Sequence, residues 1–130
     1  MTDKVGYGGR NTTPTAETLP YLAGEDISRG ELVYVSATDG ITVSLCPSTH
    51  RPVGVADADI ASGAVGEIIV KGFCGYMITD GTVAADQVLV ASSTDGAADG
   101  VALATTNTAG TFGVALAADV STVLSAAIIY

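Results

Sequence analysis

The chain states one pattern twice, and that repetition constrains its fold more than any other feature. Val35-Ser36-Ala37-Thr38-Asp39-Gly40 returns as Ala91-Ser92-Ser93-Thr94-Asp95-Gly96, 56 positions later. Pro52-Val53-Gly54-Val55-Ala56 returns as Thr111-Phe112-Gly113-Val114-Ala115, and Ile68-Ile69-Val70 as Ala127-Ile128-Ile129, both displaced by 59. A small insertion after the shared turn accounts for the change in offset. Each copy reads strand, turn, strand, so the pattern predicts two pseudo-equivalent β units, over residues 25–75 and 76–130. The fold expected from such a chain is all-β: a small barrel or sandwich with internal pseudo-duplication.

Local signals agree. Leu32-Val33-Tyr34-Val35 is a continuous apolar run suited to a buried strand, while Ile41, Val43 and Leu45 alternate with Thr42, Ser44 and Cys46. Asp39-Gly40 between the two runs predicts a hairpin with positive φ at both turn residues. The same punctuation recurs at Thr79-Asp80-Gly81, Thr94-Asp95-Gly96 and Asp99-Gly100. Further strands are expected over Val65–Val70, Phe73–Ile78, Val88–Val90, Val101–Ala104, Phe112–Leu116 and Val123–Tyr130, for about eight to ten in all. Ala84-Ala85-Asp86 and Leu116–Asp119 are candidate helical turns, but Thr, Val, Ile and Gly interrupt every longer window.

Residues 1–24 stand apart. Gly6, Gly8, Gly9, Pro14 and Pro20 break any periodicity, and the segment reads as an extended arm preceding a β-rich body over 25–130. Tyr7, Leu19, Tyr21 and Leu22 are apolar anchors spaced along it, which suits an arm that docks on a partner. The arm carries Lys4 and Arg10 against Asp3 and Glu17 and is neutral. Residues 25–75 hold seven acids and three bases, residues 76–130 five acids and no base, so the whole charge of −9 sits on the body. A surface of that sign repels phosphate backbones, which argues against nucleic-acid binding.

No apolar run approaches the length of a membrane span, and no apolar segment follows Met1-Thr2-Asp3-Lys4 to make a secretory signal. Two thiols in a cytosolic product, Cys46 and Cys74, are expected to be buried and reduced rather than joined. Aromatics are scarce, so the core must be built from Val, Ile, Leu and Ala, which bury less area per residue. Burial against further copies would supply what such a core lacks.

Catalytic chemistry finds little support. His50, the sole histidine, lies four residues from Cys46 in a loop ending at Pro52, a spacing that fixes no nucleophile–base geometry. Asp57 and Asp59 with Asp39 or Asp80 offer oxygen ligands for Ca²⁺, yet lack the EF-hand loop and its terminal Glu. Gly6-Tyr7-Gly8-Gly9 has neither the Lys-Ser/Thr pair nor the flanking strand and helix of a phosphate loop. Paired carboxylates for glycoside hydrolysis are usually accompanied by aromatic sugar platforms, and the chain has no Trp. The expectation is a protein that is not an enzyme and that holds neither cofactor nor metal.

The order of parts resembles a known family. Ala23-Gly24-Glu25-Asp26-Ile27 leads to Gly30-Glu31-Leu32-Val33, then Arg51-Pro52-Val53-Gly54-Val55-Ala56, then Ile60-Ala61-Ser62-Gly63-Ala64-Val65-Gly66-Glu67-Ile68-Ile69-Val70-Lys71-Gly72. This G-V-A step, small-residue turn and strand ending in glycine is similar to the capsid cement, or head decoration, proteins of tailed bacteriophages. The likeness covers residues 23–75 well, and the second half as a degenerate copy with many Ala and Thr. It implies a β-rich virion protein, often trimeric, that binds the major capsid protein on the outside of an icosahedral shell after synthesis in the host cytoplasm. Lys4, Tyr7, Arg10, Leu19, Tyr21 and Leu22 are then the expected contacts of the arm. Other classes remain open: a head-fibre base or tail-tube subunit, and a stand-alone binding module, against which the missing Trp counts.

Overall fold

A computed structural model of the protein describes residues 16–102 and 110–130. They form eleven strands and no helix. The first unit contributes β2 (Leu32–Val35), β3 (Thr42–Leu45), β4 (Gly54–Ala56) and β5 (Val65–Cys74); the second contributes β7 (Val88–Ala91), β8 (Ala98–Val101), β9 (Gly113–Ala115) and β11 (Ala127–Ile129). Across the main sheet they run β3-β2-β4-β5-β11-β9-β7-β8, the second half mirroring the first about the β5–β11 pair.

The repeat holds residue by residue. Leu32 faces Val55 between β2 and β4, and Val88 faces Val114 between β7 and β9, the same pair displaced by 56 and 59. Val55 faces Ile69, and Val114 faces Ile128. The hairpins differ by one residue: Val35 pairs with Val43, and Ala91 with Ala98. The extra length of the second copy therefore falls between β8 and β9. Even the loop before β2 is repeated. Ser28 and Ala84 donate their N–H groups to the side chains of Glu31 and Gln87 at 2.7 and 2.8 Å. Gly30 and Asp86, both at positive φ, donate to the carbonyls of Ala56 and Ala115.

Each half closes on itself. β1 (Ala16–Ala23) pairs antiparallel with β5 from Ala16↔Gly72 to Leu22↔Val65, and parallel with β3 at Leu22↔Thr42 and Ala23↔Val43. The strands β1-β3-β2-β4-β5 thus form a closed ring, which leaves few free backbone groups on its walls. In the second half residues 72–79 take the part of β1. Gly72 to Cys74 pair with β11, β6 (Met77–Ile78) pairs with β10 (Val123–Leu124), and Thr79 bridges Ala98 as Ala23 faces Val43.

The cores follow. The first ring is filled by Ala23, Ile27, Val33, Val43, Ala56, Ile60 and Ile68. The second places Val83, Leu89, Ala98, Ala115 and Ala127 at the equivalent positions, in a cluster that continues through Leu32, Cys46, Val55, Ile69 and Cys74 between the rings. Each fully buried aliphatic side chain contributes about 1.5–3 kcal/mol. Where the first ring opposes Ala23 and Ile60, the second has a polar pair: Thr79, 2% exposed, donates Oγ1 to the Asp119 carboxylate at 2.6 Å. Phe112 is the one aromatic in the buried core of the described residues.

Several expectations need correction. Residues 16–23, read from sequence as part of an extended arm, are a wall of the first ring. Pro20 suggested a break, but β1 has only β5 beside it there, since β3 pairs no earlier than Leu22; proline is tolerated on such an edge. Asp99-Gly100 lies inside β8 and is not a turn; Gly100 pairs with Leu89 and sits against the Gln87 side chain. At Asp39-Gly40 only the glycine has positive φ, and the connection is a longer loop held by Asp39, whose carboxylate accepts from Ile41 N, Thr42 N and Thr42 Oγ1 at 2.7–3.0 Å. Those bonds hold the Asp39 carboxyl below its usual pKa. Neither Ala84–Asp86 nor Leu116–Asp119 is helical.

Candidate functional site

The exposed large apolar side chains of the described residues are Leu19, Val35, Ile41, Val65, Leu116, Val120 and Tyr130. On β1, Leu19 is 48% exposed, Tyr21 packs half-buried against the first core, and Leu22 lies half-buried on the outer face. Lys4, Tyr7, Arg10 and the Gly6–Gly9 run lie outside the described residues. The structure therefore brings three of the six expected contacts onto one strand, on the wall of the first ring.

Two residues absent from that expectation stand beside Leu22. Val65, 67% exposed, is its cross-strand neighbour, and Ile41, 55% exposed, accepts the Leu22 N–H on its carbonyl at 2.8 Å. From sequence both read as strand residues of a core. Ile41 belongs instead to the Asp39 loop, and Val65 begins β5 on the outer face. The rim is acidic: Asp39 is two residues from Ile41, and Glu67 is exposed on β5 two residues from Val65, accepting Thr18 Oγ1 at 2.8 Å.

The residues weighed for chemistry are occupied structurally. The His50 ring stacks on Tyr34 with centroids 4.5 Å apart. Cys46 approaches the His50 backbone carbonyl at 3.4 Å, not the imidazole. Burial, with Asp95 nearby, pushes the Cys46 thiol up to about 12, and burial also raises Cys74. Both cysteines are free and buried. Neither is a nucleophile at neutral pH. Asp59 accepts the Arg29 N–H at 2.8 Å. Asp80 and Asp99 share Thr82 Oγ1, and burial together with the Asp80 charge raises the Asp99 pKa. Among the described residues no three His, Cys, Asp or Glu side chains converge as metal ligands would.

The thiols yield an expected result. The native protein should leave both cysteines unreacted with a colorimetric thiol reagent at pH 8, and denaturant should release two thiols. Because the folded state holds both protonated, the stability they contribute is fully present below the ordinary thiol pKa of 9.0. It is lost as pH rises above that value, for Cys46 toward about 12. Denaturant midpoints at pH 8 and 10.5, compared between wild type and Cys46→Ala, check the sign.

Comparisons with known proteins place this architecture. The chain superposes on the crystal structure of the N base of the head fiber gp8.5 of bacteriophage phi29 with a TM-score of 0.67, covering 89% of this chain and 95% of that one at 18% identity. That likeness establishes a shared fold. No curated protein sequence matches significantly. The sequence matches the phage cement protein family over residues 13–128, which takes in both rings. The chain belongs to the phage cement protein family and is a structural component of a bacteriophage virion, carried on the capsid.

Proposed function

We propose that the protein binds the outer surface of the icosahedral shell, as a trimer on the particle, and strengthens the shell against internal pressure. The observation that carries this reading, beside the family match, is the division of charge. The body from residue 16 carries −10, and residues 1–15, with Lys4 and Arg10 against Asp3, carry +1. An acidic body suits the outside of a shell and is repelled by packaged DNA. The N-terminal segment then supplies the grip. Lys4, Tyr7 and Arg10 reach the shell or a neighbouring copy, while Leu19, Tyr21 and Leu22 continue the contact onto the ring wall. Aromatic anchors carry more of such an interface than rim charges, each worth about 0–1 kcal/mol.

The test is a chain lacking residues 2–15, which keeps β1 whole. Mixed with undecorated shells of the parent phage, it should pellet with them at less than a tenth of wild-type occupancy and give no protection against heat. Equal occupancy would make the arm a passive tail. A second reading is supported by the fold shared with a head-fiber base: the protein as a seat for a projecting fibre. Particle images showing a further chain rising from each bound copy would favour it.

A further inference from the structure

We propose that the corner formed by Leu22, Ile41 and Val65 is the body's own docking patch for the shell subunit, which meets it with an apolar surface rimmed by lysine or arginine. This rests on the cement reading and adds a site on the folded body to the arm.

The internal symmetry supplies the argument. The equivalents of Leu22 and Val65 in the second ring are Ile78 and Val123, by the matching pairs Leu22↔Val65 and Ile78↔Val123; the second hairpin is one residue shorter, so Ala97 answers to Thr42 and Ile41 has no counterpart. Neither of the two is exposed, and Ala97 is only 2% accessible where Thr42 is half-buried. The first ring lies against this side of the second: Ile78 donates its N–H to the Gly30 carbonyl at 2.9 Å. Gly96 donates its N–H to the Cys46 carbonyl at 2.9 Å, accepts the Leu32 N–H at 2.8 Å, and lies against Leu45 and Glu31. The 92–97 loop is thus docked on a neighbouring β-ring, while the tip of its counterpart, the 36–41 loop, is open among the described residues: none of their atoms lies within 4 Å of where a Gly40 side chain would begin. Among the described residues one copy of the loop tip is covered and its twin is open.

Another ring of this protein is a poor cover. The seat that receives Gly96 on the first ring is already filled. Its equivalent on the second is closed by the direct Val88↔Val101 pairing. Asp39 and Glu67 on the rim add like-charge repulsion between copies that already carry −9 each. A partner with basic groups around an apolar centre meets both features.

Ile41→Asp and Val65→Asp place charge on solvent-facing positions, so both should fold and melt within a few degrees of wild type. Pelleting with undecorated shells of the parent phage should show each at least tenfold weaker in occupancy, with Val65→Thr nearer wild type. Glu67→Gln should flatten the decline of wild-type binding with added salt. Occupancy of both aspartate variants equal to wild type would overturn the patch. So would a change confined to the sedimentation of free protein with shell binding intact, which would assign the corner to a second copy. Wild-type protein that leaves the shells bare would instead overturn the cement reading beneath it.

Discussion

Alanine at Gly54 or at Gly113 lowers stability by about 3 kcal/mol, and by similar amounts at the two sites. Both glycines sit in the G-V-A step, one in β4 and one in β9. A Cβ at Gly54 would be driven into the carbonyl oxygen of Ile69, and a Cβ at Gly113 into that of Ile128. Gly54 and Gly113 are equivalent by the 59-residue offset, and so are Ile69 and Ile128. The obstacle in each case is backbone of the central β5–β11 region, which cannot swing aside as a side chain would. Relief requires β4 to lift from β5, or β9 from β11, breaking ladder bonds there. Gly40→Ala is the contrast: it has open space and only the left-handed backbone at φ 76 to oppose it, so it should cost about 1 kcal/mol. Urea unfolding of the three variants gives the comparison. A Gly54→Ala midpoint no lower than that of Gly40→Ala would mean the close approach is not rigid.

This pairing of glycines explains why the fold was legible in the sequence. The G-V-A step cannot drift without a collision, so it survives where the rest of the second copy has relaxed toward Ala and Thr. The offset of 59 read from it is that of the β4/β9 and β5/β11 registers, and the 56 read from the shared Thr-Asp-Gly is that of β2 and β7. The alternation of Ile41, Val43 and Leu45 located β3 but misjudged its first member, because alternation does not tell where a loop ends and a wall begins. Ile41 keeps the period and loses the burial. The hidden strand β1 had the opposite problem. Its partner side is fixed by β5, far along the chain, and Pro20 is harmless only because that stretch has one neighbour instead of two. Half of the expected contact set, Leu19, Tyr21 and Leu22, is now fixed on that strand. Ile41 and Val65 emerge only from the folded structure, since their exposure depends on where the loop ends and which face of β5 turns outward.

Removing residues 2–23 has a different consequence from removing 2–15, and the difference separates folding from binding. The shorter deletion leaves β1 intact and should melt close to wild type. The longer one takes out the strand that joins β3 to β5, so the ring opens along its length. Ala23 is lost from the core, Tyr21 no longer packs on it, and Val43 and Ile68, both fully buried, come to face solvent. The N–H of Gly63 loses the Ala23 carbonyl, and the Ile41 and Ala64 carbonyls lose the Leu22 and Ala23 donors. With about 1.5–3 kcal/mol at stake for each large aliphatic exposed, against the 5–15 kcal/mol that holds a domain folded, the first ring should not persist alone. The second ring is closed by residues 72–79 and shares no strand with β1, yet its 92–97 loop rests on the ends of β2 and β3. Loss of the first ring therefore strips the cover from Gly96 and Ala97, and the whole chain should unfold or aggregate at room temperature. Circular dichroism melts and sedimentation of both truncations decide it. A chain lacking 2–23 that melts cooperatively near wild type would show that β1 is an ornament on the ring, and would return residues 16–23 to the arm.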